Sequence, residues 1–316
     1  MVSDSTLERI LGNIDLEEAR AVLHKCVQVV DAEEALSVEL SSARSIRVGV
    51  VDGSKFGGFS GCVFAIAGMV ATPVDIEMHN KGKELVASRL LLRRITHSFG
   101  KRFVDIVVGD GLYMTKDHIR QCKEQLGCEA LVKTTEKGLS VIQDAEQLFA
   151  AADGLEGIEY AEGIDIERGI RYKVMAAGGF EWDGLPYKLK VARVEEEKLK
   201  PKPGQDKYET FWVITTDQSL SCKELRELAH KRWQIENNVF KRLNELVGSK
   251  RGWIRSANLK AVLLILWLTG LLVFGYRLLR RGLAKLRQTY GNVKQTWRFV
   301  TRLLFSSIER LSMVKS

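Results

Sequence analysis

Two charged side chains four residues apart, Arg232 and Glu236, stand where a helix should be apolar. Residues 225–247, LRELAHKRWQIENNVFKRLNELV, contain neither proline nor glycine and keep a helical period throughout. On a wheel turning ~100° per residue, Leu225, Leu228, Ala229, Ile235, Val239, Phe240, Leu243, Leu246 and Val247 share one arc with Glu236. Trp233 lies at its edge, and Lys231, Gln234, Asn238, Lys241, Arg242 and Glu245 fall opposite. Charges taken out of water are costly unless paired or bound to metal. Glu236 is therefore either half of an internal pair with Arg232 or a carboxylate aimed at a metal site. Two more acids stand where strands should end: Asp52 after IRVGVV and Asp110 after FVDIVVG. If those strands are parallel neighbours, the carboxylates meet and need a hard cation. Mg²⁺ is usually held by few carboxylates plus phosphate oxygens. Two such ions ~3.5–4 Å apart can activate an attacking oxygen and stabilise a leaving one in phosphoryl transfer.

The chain that must position these acids has 316 residues, 45% of them hydrophobic, and four prolines, enough for a sizeable core. Five scattered cysteines give no disulfide framework, and Cys122 and Cys128 lack further ligands for zinc, so a reducing cytosol is the expected compartment. The acidic N-terminus does not read as a signal peptide. The net charge of +8 is uneven: residues 241–316 hold sixteen Lys and Arg against two Glu, whereas the first forty hold three against nine acids. A basic C-terminal quarter suits a polyanion, and nucleic acid above others.

Residues 5–42 read as short amphipathic helices with acidic surfaces. From Arg44 the pattern turns strand-like, and three consecutive strands with tight connections predict an antiparallel meander. The glycines of KFGGFSG could cradle a phosphate, but no Gly-Lys-Ser/Thr follows, so a hairpin turn is expected. Asp75, Glu77 and His79 alternate along the third strand and read as an exposed edge face. A helix over 83–96, the FVDIVV strand, a helix over 115–126 and the strand EALVK complete a mixed sheet covered by helices.

From about Val141 to Asp217 come aromatic and β-branched strands, with EEEKLKPKPGQDK as a mobile turn between the last two. The apolar run from Ala261 to Tyr276 is shorter than the ~20 residues of a membrane span and reads as a core helix. The tail beyond it is basic and amphipathic.

Taken in order, these pieces resemble the DDE transposases of bacterial insertion sequences, in the group marked by a Tyr-Arg-Glu-Lys signature. VVDGS is similar to the segment of the family's first catalytic Asp, and VVGDGLY to that of its second. The β-rich stretch closing in FWVITTD is similar to the insertion before the last acid, and KRWQIENNVFKRL to the segment of the catalytic Glu. The resemblance runs from about Ile46 onward. It implies an α/β, ribonuclease H-like mixed sheet flanked by helices, with a β-rich insertion before the last catalytic acid. It also implies Mg²⁺-dependent nicking of transposon ends (Mn²⁺ substituting) and attack of the freed 3′-hydroxyl on target DNA. Asp52, Asp110 and Glu236 would be catalytic metal ligands and Arg232 a DNA-end phosphate contact. His230, Lys241, Arg242, Lys250 and Arg251 are the further expected DNA contacts. The partner would be double-stranded DNA, bound by a homodimer at the nucleoid in the cytoplasm, with no membrane.

Two positions depart from the signature. Its Tyr falls at Ala229 and its Lys at Leu243, side chains that touch DNA near the cleaved end in relatives. The family also usually carries a separate N-terminal DNA-binding domain, which the acidic first forty residues do not resemble. The expected segments are an N-terminal helical part (1–45), two core parts (46–140 and 218–276), the β-rich insertion (141–217) and the basic helical tail (277–316). Two rival readings are a decayed or truncated transposase that only binds DNA, and a membrane-associated protein anchored by residues 261–276.

Overall fold

A computed structural model describes residues 4–32, 36–68, 71–151, 157–233, 235–241, 254 and 256–290. The chain opens with α1 (Asp4–Gly12) and α2 (Leu16–Asp31). Asp15 caps α2, its Oδ1 accepting from the amides of Glu17 and Glu18 at 2.8 and 2.9 Å. Leu23 and Val27 turn the apolar face of α2 into the core. After a two-strand ladder of β1 (Val38–Glu39) and β2 (Ser45–Ile46) come β3 (Val48–Phe56), β4 (Phe59–Ala67) and β5 (Ala71–His79). These three form the expected antiparallel meander. Gly57 and Gly58, at φ 61° and 92°, make the two-residue hairpin turn between β3 and β4.

Next are α3 (Glu84–Phe99), β6 (Ile106–Asp110), a 3₁₀ turn (Gly111–Tyr113), α4 (Lys116–Arg120), a π-helical turn (Gln121–Leu126) and β7 (Glu129–Thr134). β3, β6 and β7 run parallel, and β11 (Tyr208–Thr215) joins β7 antiparallel. The sheet then continues through β10 (Leu189–Lys198), β9 (Ile170–Phe180) and β8 (Ile158–Asp165). Among the described residues it has nine strands in the order β5-β4-β3-β6-β7-β11-β10-β9-β8. The β-rich stretch thus extends the same sheet, with the apolar second half of β11 and the first half of β10 buried.

Helices flank this mixed sheet. α3 packs on β4 and β5, and α5 (Ser140–Ala150) on β9 and β10. α6 (Cys222–Lys231) touches strands from β3 to β8, and α7 (Ala257–Tyr290) lies on α2 and β5. Buried Leu264, Ile265, Leu268 and Leu272 make the first half of α7 a core helix. No helix among the described residues is long and apolar enough to cross a membrane.

Four expectations are corrected. First, the stretch from Val141 opens with a helix: Val141, Ile142, Ala145 and Phe149 are buried at helical spacing in α5. Second, much of the run EEEKLK belongs to β10. Its charges are neutralised there: Glu196 accepts from Arg226, and Glu197 pairs with Arg171 and Lys207. Third, the β5 face is not exposed. Asp75 is fully buried, with Arg94 Nε at 2.6 Å, His24 Nε2 at 3.3 Å and Arg20 Nε at 3.5 Å, while Glu77 bridges Arg20 and Arg94. Those cations come from α2 and α3, elements that the alternation along β5 alone could not place beside it. Fourth, the helix over 225–247 is not uninterrupted. α6 ends at Lys231 and a π-helical turn follows over Ile235–Phe240.

Candidate active site

The parallel pairing of β3 with β6 sets the site. Val48, Gly49 and Val50 stand opposite Ile106, Val107 and Val108, so Asp52 and Asp110 each lie two residues beyond the last paired position. Asp52 does not end its strand, because β3 continues paired to β4 through Phe56. Only the parallel ladder stops there, leaving a gap between β3 and β6 at the two acids. Asp110 does end β6, and its Oδ1 accepts from the Leu112 amide at 3.0 Å to start the 3₁₀ turn.

Asp52 is buried, with Oδ1 accepting from the Gly53 amide at 2.9 Å and Oδ2 from Arg232 Nη1 at 2.9 Å. Arg232 Nη1 also donates to Glu236 Oε1 at 2.7 Å. Burial raises the pKa of Asp52 to about 7; the nearby charges of Asp110 and Glu236 push the same way, and Arg232 opposes them. Asp52 is therefore within electrostatic reach of both Asp110 and Glu236. Arg232 keeps its proton more firmly than usual: burial opposes this, but Asp52, Glu236 and Asp110 outweigh it.

Glu236 differs from its expected burial, since 47% of its side chain is exposed. The cause is the change of helical period. A π-helical turn adds a residue per turn and rotates the following side chains out of the phase set by α6. Ile235, Val239 and Phe240 still point inward, and Glu236 is carried to the rim. The Arg232–Glu236 pair exists, but at the mouth of the site.

The glycines beside the acids are explained by close approach. A Cβ at Gly53 would lie 2.2 Å from Glu84 Oε2, and one at Gly109 would lie 2.9 Å from Tyr113 Cβ. Two residues of this shell were not singled out from sequence. The Tyr113 hydroxyl donates to Glu84 Oε1 at 2.9 Å and lies 3.4 Å from Cys62 Sγ. Burial drives the Tyr113 phenol far above its usual range, so it stays a neutral donor. The Tyr of VVGDGLY was the available signal.

The other expected contacts divide. His230 is buried and bonded to Glu196 Oε1 at 2.8 Å; burial lowers its pKa against the pull of that carboxylate. It lines a cleft of roughly 420 Å³ with Arg168, Lys198, Lys207, Trp233 and Asn237. Lys241 is exposed. Arg242, Lys250, Arg251 and Leu243 lie outside the described residues.

Three carboxylates are a hard-oxygen donor set suited to Mg²⁺ or Mn²⁺. The crowding felt by buried Asp52 also calls for a cation. Among the described residues no three His, Cys, Asp or Glu side chains already converge as ligands. The cation between Asp52 and Glu236 is the Arg232 guanidinium.

A comparison with curated proteins gives no match. A family profile described as Transposase DDE domain matches residues 52–272, more than two thirds of the chain, beginning at Asp52 itself and including Asp110 and Glu236. With the three acids in order inside that match, the chain belongs to the transposase DDE domain family.

Proposed function

We propose that this transposase-family chain cuts DNA strands at the ends of a mobile element and joins the freed 3′-hydroxyls to target DNA. The observation that carries the reading is that Asp52 and Asp110 stand side by side where the β3–β6 ladder stops, with Glu236 tied to Asp52 through Arg232. Their order along the chain and their place in the matched region support it. The strand order β5-β4-β3-β6-β7, with β3, β6 and β7 parallel, supports a ribonuclease H-like core. On this reading Asp52, Asp110 and Glu236 hold divalent cations, Mg²⁺ or Mn²⁺, which would activate the attacking oxygen and stabilise the leaving one.

The chain's own contribution is positioning. Backbone amides fix Asp52 and Asp110 through one oxygen each, from Gly53 and Leu112. Glu236 sits half-exposed at the rim, on a π-helical turn that Ile235, Val239 and Phe240 anchor in the core. With a cation between the acids in its place, the Arg232 guanidinium fork would suit a phosphate at a DNA end. Double-stranded DNA, a homodimeric complex and a cytoplasmic, nucleoid-associated location belong to the same proposal.

A chain that binds DNA without cutting it is the second reading, favoured by the double engagement of Arg232 with two of the three acids. One experiment separates them: incubation with Mg²⁺ or Mn²⁺ and DNA carrying the element's own ends. Strand nicking that disappears in Asp110→Asn supports the proposal. DNA binding without nicking, in either metal, leaves only the second reading.

A further inference from the structure

A second cleft opens directly beside Asp52. It has a volume of roughly 370 Å³, starts at Gly53 and is lined by Lys55, His79, Lys81, Glu84 and Leu112. It therefore borders both strand acids, through the residue after Asp52 and the residue two beyond Asp110. Its size is at the low end for ligand clefts. That is enough for a phosphodiester with its sugars and far too narrow for a duplex.

Lysines outnumber acids in the wall of this cleft. Lys55, Lys81 and the adjoining Lys83 are exposed, and among the described residues none of them makes an ion pair. The one acid in the wall, Glu84, is turned against the Gly53 backbone and held there by the Tyr113 hydroxyl at 2.9 Å. Among the described residues it forms no ion pair with these lysines. α3, sixteen residues long, starts at the cleft with no side-chain cap from Lys83, so its first amides and the positive end of its dipole face the same space. His79 adds a further polar atom: Nδ1 lies 2.8 Å from the Asn80 carbonyl, and Nε2 is buried without a partner.

We propose that this cleft seats a phosphodiester segment of DNA, with Lys55, Lys81 and the first turn of α3 on its phosphates, and so leads one strand to Asp52. The inference rests on the reading that the chain acts on DNA, and it adds a track that none of the motif residues supplies. The phosphates could belong to a cut end or to uninterrupted target DNA, which present the same chemistry.

The test is Lys55→Gln/Lys81→Gln in the full chain, with DNA affinity measured by fluorescence anisotropy over a salt series. Each lost phosphate contact removes about one from the slope of log affinity against log salt. The expected result is a slope smaller by about two, with weaker binding and an unchanged melting temperature. Lys55→Arg/Lys81→Arg should restore the slope. An unchanged slope in the Gln variant, or a loss that the Arg variant does not restore, overturns the proposal. Two DNA forms separate the sources: a blunt-ended oligonucleotide duplex and a covalently closed circle. A loss confined to the first assigns the cleft to ends, and a loss confined to the second assigns it to target; either supports the track. A wild-type chain that nicks DNA while the Gln variant keeps its slope sinks the cleft alone. A wild-type chain that binds neither form sinks the functional reading with it.

Discussion

Asp52 and Arg232 are separated by 180 residues of sequence and by 2.9 Å in space. The same Arg232 nitrogen reaches Glu236 at 2.7 Å, so one guanidinium holds the acid of β3 and the acid of the π-helical turn after α6 together. Asp52 is buried among like charges, and a cation beside it is the condition for its carboxyl to ionise. Arg232 meets that condition in the free protein, and it competes with any metal for the position.

Replacing Arg232 by Gln should therefore tighten Mn²⁺ binding by the DNA-free protein. Removing one charge a few ångströms from the ion is expected to give roughly tenfold, equivalent to about 1.4 kcal/mol. Electron paramagnetic resonance titration of free Mn²⁺ reads this directly. Equal or weaker binding by the variant would show that Arg232 is not in the cation's way.

The three acids should separate function from folding. Asp52→Asn, Asp110→Asn and Glu236→Gln are each expected to abolish metal-dependent nicking. Asp52→Asn removes a buried charge crowded by two others, so its melting temperature should hold or rise. Glu236 is half exposed at the rim, so its loss should not unfold the chain either. A Glu236→Gln variant that unfolds would return Glu236 to the role of an internal salt-bridge partner.

His118 offers a pH test away from the acids. It is buried against Tyr113, and loss of solvation lowers its pKa from 6.5 to about 4. Between those values the unfolded chain binds a proton that the folded chain refuses. Stability from this group is thus full above pH 6.5 and falls as the pH drops toward 4, by about 3 kcal/mol in all. Urea unfolding at a series of pH values should show wild type losing more than His118→Gln across that window. Parallel curves would mean that His118 takes up its proton without cost.

Asp75 anchors the N-terminal helices to the sheet. Burial works to raise its pKa, but His24, Arg94 and Arg20 outweigh that and hold it below the usual carboxylate value. Asp75→Ala removes the buried carboxylate that Arg94, His24 and Arg20 share, and breaking such buried pairs costs about 3–5 kcal/mol. A loss of that size in urea unfolding is expected. A change below about 1 kcal/mol would fit the exposed-edge assignment that the structure overturns.

Much of this was legible in the chain. The period-2 runs gave the meander, and the two Asp-bearing motifs gave the acids that the β3–β6 register brings together. What the sequence concealed was set by partners far away in the chain. Asp75 looks exposed until α2 and α3 bring Arg20, His24 and Arg94 against it, and Glu196 looks like linker until Arg226 and His230 close on it. Glu236 was misplaced for a local reason: a wheel assumes one period, and the π-helical turn breaks it. Glu84 and Tyr113 were passed over because their importance lies in contact with Gly53 and Gly109, residues whose only feature is a missing side chain.

Position 229 gives the last prediction. The signature's Tyr falls at Ala229, and restoring it would seem a way to regain a contact with cut DNA. Ala229 is, however, fully buried on the inner face of α6, between Leu225 and Leu228 on one side and His230 with its Glu196 bond on the other. A tyrosine there must push a ring and hydroxyl into packed side chains, an insertion that costs about 1–3 kcal/mol or more. Ala229→Tyr is expected to lower the melting temperature and to leave affinity for blunt-ended DNA no better than wild type. The decisive comparison is thermal melting beside anisotropy at one salt concentration. A variant as stable as wild type that binds ends more tightly would mean that α6 turns its 229 face outward when DNA is bound, and that the buried arrangement is only the resting one.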